Sequence, residues 1–136
     1  YDFYRRSKAI SADVTAAYDP DYKQAYDPNN VARLGHGVVI EKYVGYRGKS
    51  YTMEAEPFFI RAIINLFHKN KVAWQTGHLG KADSGGGGTI AGYLSNRNIE
   101  VVDMGVALLN MHSPYELSSK ADIYSAYKGY KVFLEN

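Results

Sequence analysis

An aspartate, a histidine and a run of glycines are the residues whose types could support chemistry in this chain. Asp13 stands in Ser11-Ala12-Asp13-Val14, at the end of an apolar stretch. Ligands collect at the carboxyl ends of strands in α/β sheets, so Asp13 is placed to hold a metal ion or another polar ligand. A turn or cap carboxylate is the ordinary alternative. His112 stands in Asn110-Met111-His112-Ser113-Pro114, after one apolar strand and before a loop. A neutral imidazole there could ligate a metal, and a hydrogen-bonded structural histidine fits the spacing equally well. His36, His68 and His78 fall in a loop, a helix end and a loop, without the i, i+4 spacing of a helical metal pair. The run Gly85–Gly88 precedes Thr89 and a short helical pattern. Such a loop presents backbone N–H groups at a helix start, where anions bind. No Gly-Lys-Ser/Thr follows it, and four glycines match only part of a dinucleotide fingerprint. A nucleotide site would rest on the glycines alone, and a tight-turn loop is the simpler reading.

These groups must be held by an alternation of short apolar strands and amphipathic helices. Ala9–Val14, Val38–Tyr43, Val72–Thr76 and Ile99–Met104 read as strands, and Ala107–Met111 as a further one. Between the first two lies a polar loop whose Tyr18-Asp19-Pro20 and Tyr26-Asp27-Pro28 favour turns. Glu54–Lys69 has Phe59, Ile63, Leu66 and Phe67 at helical spacing, Pro57 in its first turn and His68 and Lys69 in its last. A final helix starts near Ser118 or Ser119, with Asp122 completing a capping-box-like start and Ile123, Tyr127, Tyr130 and Leu134 on one face. Strands separated by helices call for crossover connections and a sheet covered on both faces. The expected fold is α/β, a three-layer αβα sandwich around a mixed, largely parallel sheet.

Composition narrows the function. Hydrophobic residues make up 46% and charged residues 22% of the 136, which suits one packed domain and not a disordered chain. A net charge of +2 gives no electrostatic footprint for nucleic acid or an acidic membrane. Thirteen tyrosines could stack bases, but no basic groove accompanies them. Tyr124, Tyr127 and Tyr130 lie at helical spacing and read as helix packing. No cysteine is present, which excludes disulfides, thiolate metal sites and a cysteine nucleophile, and fits a cytoplasmic location. No apolar run approaches the roughly 20 residues of a membrane-spanning helix.

Four segments in order carry a resemblance. Ser7-Lys8-Ala9-Ile10-Ser11-Ala12-Asp13-Val14-Thr15-Ala16-Ala17-Tyr18 resembles a metal-ligand segment of the aspartyl/vacuolar aminopeptidase family. Asp83-Ser84-Gly85-Gly86-Gly87-Gly88-Thr89-Ile90 looks like that family's Gly-rich loop before a helix. Val101-Val102-Asp103-Met104-Gly105-Val106, followed by Met111-His112-Ser113-Pro114-Tyr115-Glu116, is similar to its last ligand segment. Ser118-Ser119-Lys120-Ala121-Asp122-Ile123-Tyr124 fits its bacterial-type branch.

The resemblance implies two zinc ions side by side and the removal of N-terminal residues from peptides. Asp13 would ligate one zinc and His112 the other. Gly86, Gly87, Gly88 and Thr89 would line the substrate pocket, and Ser113 would help to position His112. The family's other ligands (a His, a bridging Asp and a Glu) and its general-base Glu are expected upstream. Residues 1–136 are therefore expected to be the C-terminal portion of a catalytic domain, inactive alone and homo-oligomeric when intact. Chain start fits this, since the first residue is Tyr and not Met. Acid-preferring relatives place a Lys just after the Val-Ile pair of the second strand. Here Glu41 follows Val39-Ile40, which favours neutral or basic N-terminal residues. A non-catalytic binding or assembly module derived from such an enzyme is the alternative from another class.

Overall fold

The computed structural model describes residues 2–46, 50–81 and 83–136. A short helix α1 (Asp2–Arg5) leads into strands β1 (Lys8–Ser11) and β2 (Thr15–Ala16), then a 3-10 turn over Pro20–Ala25. Strands β3 (Val38–Glu41), β4 (Tyr43–Tyr46) and β5 (Ser50–Glu54) follow, then helix α2 (Pro57–Asn70) and β6 (Trp74–Gly77). The chain ends with α3 (Ala91–Ser95), β7 (Glu100–Gly105), β8 (Ala107–Leu109), β9 (Leu117–Ser118) and α4 (Lys120–Leu134).

The main sheet has the order β1-β7-β3-β6. Strands β1 and β7 are parallel, as are β3 and β6, while β3 and β7 run antiparallel. This is the mixed, largely parallel sheet expected from the pattern. Successive residues of a strand face opposite sides, and in β7 that alternation separates two helical layers. Met104 faces α2 and α4: a Cβ on Gly129 of α4 would lie 3.0 Å from the Phe67 ring of α2 and 3.6 Å from the Met104 methyl. Asp103 faces the other side, where Thr89 just before α3 bonds to it. The principal core gathers Val38, Ile40, Phe59, Ile63, Phe67, Val102 and Met104. A smaller one beneath Val39 joins Ala17, Ala32 and Ala107.

Helix α2 is explained by its sequence. Glu56 caps it by accepting the Phe59 N–H at 2.8 Å, Pro57 opens it without losing a bond, and Phe59, Ile63 and Phe67 are buried at helical spacing. Helix α4 departs from the expectation. Ile123, Tyr124, Tyr127 and Leu134 are exposed, and the buried residues are the small or polar Asp122, Ser125, Ala126 and Gly129. Close approach to Phe67 selects small residues on this face, so the apolar stripe misleads; of the tyrosines in that stripe, Tyr130 is half-buried and donates its hydroxyl to the Met104 carbonyl at 2.7 Å. Asp122 does not complete a capping box. Its fully buried carboxylate accepts the N–H groups of Gly35 and Gly37, each at 2.7 Å, and ties the loop before β3 to α4. Gly37 is required there, with φ +97° and a Cβ position 2.3 Å from the Ala73 carbonyl oxygen.

The other differences are interruptions. The expected strand Ala9–Val14 breaks at Ala12–Val14, and β2 then pairs with β8 in a separate three-stranded sheet with β9. Similarly, Val38–Tyr43 breaks at Lys42, beyond which β4 and β5 form a hairpin.

Candidate metal and substrate site

Asp13 sits in the break between β1 and β2. Its N–H donates to the Ser11 carbonyl at 3.1 Å, and its own Oδ1 accepts the Val14 N–H at 2.7 Å. The side chain is exposed, and among the described residues Oδ2 has no hydrogen-bond donor. The break exists because β7 ends in glycine: a Cβ on Gly105 would lie 1.5 Å from the Asp13 carbonyl oxygen. Asp13 shares a cleft of about 590 Å³ with Gly88, Thr89, Ile90, Gly92, Tyr93 and Asn96. Two of the segments singled out from sequence therefore meet. Gly86 and Gly87 do not line this cleft; Gly86 lies against Gly80 and Gly87 against Leu79.

His112 occupies the turn between β8 and β9. Its φ is +67° and that of Asn110 is +59°, a left-handed conformation that side chains adopt sparingly and Asn and His most readily. Glu116 holds the turn by accepting the His112 backbone N–H at 2.6 Å, and Ser113 closes it against the Tyr115 main chain. Ser113 thus acts on the turn and not on the imidazole, which is exposed.

Two donors of this kind fit zinc in type, since carboxylate oxygen and imidazole nitrogen are both zinc ligands. They do not suffice in number, because zinc takes about four. Among the described residues no three His, Asp or Glu side chains are grouped to hold a metal ion.

Behind the cleft lies a polar row that sequence reasoning missed. Ser11 faces Asp103 across β1 and β7, Asp103 faces Glu41 across β7 and β3, and Glu41 faces Gly77 across β3 and β6. Ser11, Asp103 and Glu41 are all buried. The Asp103 carboxyl accepts the Thr89 hydroxyl at 2.6 Å through Oδ2, while Oδ1 and the Ser11 hydroxyl have no well-formed partner. Burial pushes the Asp103 carboxyl up, against the neighbouring Ser11 and Thr89 hydroxyls, and the Asp13 charge adds to the rise. The available signal was an acid among the apolar residues Val101–Val106. Glu41 was assigned to substrate contact; in the structure it is buried and accepts the Thr15 hydroxyl.

Burial, opposed by Thr15 and reinforced by the charges of Asp103 and Asp13, raises the Glu41 carboxyl to about 7 from 4.5. A folded-state value above the unfolded one means that the folded chain holds a proton the unfolded chain has lost. Its contribution to stability is complete below about pH 4.5 and is lost as pH rises through 7, up to about 3 kcal/mol in total. Urea midpoints of the metal-free protein at pH 5 to 8 should fall with pH more steeply than those of Glu41→Gln. Parallel slopes would contradict this.

The chain matches the family model described as aminopeptidase I zinc metalloprotease (M18) over residues 2–134. It is 51% identical over 130 residues to a probable M18 family aminopeptidase 1 of Clostridium acetobutylicum, covering 96% of this chain and 28% of that protein. A Thermotoga neapolitana protein of the same description is 45% identical, with 98% and 30% covered. Among solved structures, an M18 aminopeptidase from Thermotoga maritima superposes with a TM-score of 0.91 at 44% identity, covering 96% of this chain and 29% of that one. Aminopeptidase I from Clostridium acetobutylicum gives 0.91 at 50%, covering 97% and 29%. The chain thus spans less than a third of the length of these relatives. With the match running across nearly every described residue, it belongs to the M18 family of zinc metalloproteases.

Proposed function

We propose that residues 1–136 are the C-terminal portion of the catalytic domain of a zinc aminopeptidase that removes N-terminal residues from peptides. The observation that carries this reading is the meeting of Asp13 with Gly88 and Thr89 at one cleft, in a chain whose family is zinc-dependent. Asp13 is read as a ligand of one zinc and His112 of a second. When bound, such a metal pair supplies Lewis-acid polarisation of the peptide carbonyl and acidifies a water. The chain's own residues orient and bind. Val14 fixes the Asp13 carboxylate, Glu116 fixes the backbone of His112, and Gly88 and Thr89 offer main-chain groups to the peptide. The remaining ligands and the general-base Glu are assigned to sequence outside this chain, which alone should be inactive.

A preference for neutral or basic N-terminal residues is part of the same reading, and it rests on the resemblance alone because Glu41 is buried against Thr15. The exposed Ile123, Tyr124, Tyr127 and Leu134 along α4 support assembly with further copies of the intact protein. A cytoplasmic location is part of the same reading; among the described residues no helix is long and apolar enough to cross a membrane. A non-catalytic binding or assembly role is favoured only for the isolated chain, because among the described residues no three His, Asp or Glu side chains are grouped to hold a metal ion.

The test is release of N-terminal residues from a dipeptide panel by the full-length gene product, with chelator and with zinc restored. Chelator-sensitive release that zinc restores supports the assignment. No release under any metal assigns Asp13 and His112 to structural roles, and fastest release of an acidic residue overturns the preference.

A further inference from the structure

Two buried carboxyls facing each other across a sheet, with no ion pair to either among the described residues, are costly to maintain. What each one holds is a threonine. Glu41 accepts the hydroxyl of Thr15, two residues beyond Asp13. Asp103 accepts the hydroxyl of Thr89, at the end of the Gly-rich loop. The Thr89 hydroxyl proton is committed by this arrangement. It goes to Asp103 Oδ2, and the hydroxyl oxygen also accepts the Ala91 N–H at 3.1 Å, at the opening of α3. The hydroxyl therefore has no proton to offer a ligand, and any hydrogen bond that Thr89 donates to the cleft must come from its backbone. Gly88, one residue earlier, has no side chain and nothing within 4 Å of its Cβ position, so its main chain faces open cleft.

We propose that Asp103 is a positioning residue: by anchoring the Thr89 hydroxyl from inside the sheet, it sets the Gly88–Thr89 main chain against which the N-terminal end of a peptide docks. This rests on the aminopeptidase reading for the identity of the ligand, but the anchoring itself does not. A loop of four glycines has little conformational preference of its own. The bond to a β7 residue, one strand from Asp13, converts it into a wall at fixed distance from the metal ligand. The anchor acts on binding geometry and not on the metal, so its loss should appear in KM with zinc retained.

The experiment compares Thr89→Val, Thr89→Ser, Asp103→Asn and the double variant Asp103→Asn/Thr89→Val in the full-length protein. Steady-state kinetics on a neutral dipeptide, zinc content and amide hydrogen exchange over residues 84–91 are read together. Thr89→Val should raise KM about tenfold, with kcat within about threefold and zinc content unchanged, the scale of one lost charge-assisted hydrogen bond. It should also speed exchange at the Ala91 amide. Thr89→Ser, which restores the hydroxyl, should lie within about threefold of wild type. Asp103→Asn should raise KM alone but add nothing to Thr89→Val, because both act through one bond. Unchanged KM and exchange in Thr89→Val, loss of zinc along with the rise in KM, or additive effects in the double variant would each overturn the proposal. A wild type that releases nothing from any dipeptide defeats the aminopeptidase reading separately. Exchange at residues 84–91 then decides the anchor: faster in Thr89→Val and normal in Thr89→Ser sustains it, and no difference refutes it.

Discussion

Gly105→Ala is expected to destabilise the protein by on the order of 3 kcal/mol or more and, on the aminopeptidase reading, to abolish zinc binding through Asp13 even if the chain folds. The added Cβ would lie 1.5 Å from the Asp13 carbonyl oxygen and 2.6 Å from its carbonyl carbon. Both are backbone atoms, so no rotamer change relieves the overlap. The β1–β2 break must move, and it carries three hydrogen bonds: Asp13 N–H to Ser11, Val14 N–H to the Asp13 carboxylate, and Thr15 N–H to Val106. Gly88→Ala is the contrast, since nothing lies within 4 Å of its Cβ position. Thermal or urea unfolding of the two full-length variants, with zinc analysis, checks this. Equal stability and equal zinc content in Gly105→Ala would show that the Asp13 segment is not held by close approach to β7.

The same comparison explains how much was legible in the sequence. Elements with a strong period and clear ends could be read: α2 from its apolar spacing, Pro57 and final basic residues, and β7 from its β-branched run. Asp13 and the Gly-rich loop were identifiable as polar or glycine-rich interruptions beside apolar strands, and the fold brings them to one cleft. What failed was whatever depended on partners distant in sequence. The break at Asp13 depends on Gly105, and the role of Asp122 on Gly35 and Gly37, 87 and 85 residues away. The face of α4 was misassigned because close packing on Phe67 favours Gly129 and Ala126 over larger apolar side chains. Asp103 and Glu41 were hidden for a related reason. A carboxyl in a strand is buried or exposed according to the neighbouring strand, and the β3–β7 register is not written in either segment alone.

On the aminopeptidase reading, removing either Asp13 or His112 from the full-length protein should lower kcat/KM by on the order of a thousandfold, through loss of a zinc donor. Asp13→Ala deletes an exposed carboxylate whose Oδ1 is already engaged by Val14, so the cost to folding is confined to that one local bond. His112 needs a more careful substitution. At φ +67° alanine would add backbone strain to the loss of the imidazole and confound the two. His112→Asn tolerates the left-handed conformation, keeps the backbone N–H for Glu116, and removes the ring nitrogen. If the two residues serve different ions, each single variant should lose about one zinc per chain and the double variant about two, while activity in the double falls little below either single. This non-additivity follows because a paired site fails when one member is missing. Zinc per chain after gel filtration, measured beside dipeptide release, separates the outcomes. Full zinc content with full activity in Asp13→Ala or in His112→Asn would remove that residue from the site. Loss of both ions in each single variant would instead mean that the two donors converge on a shared centre.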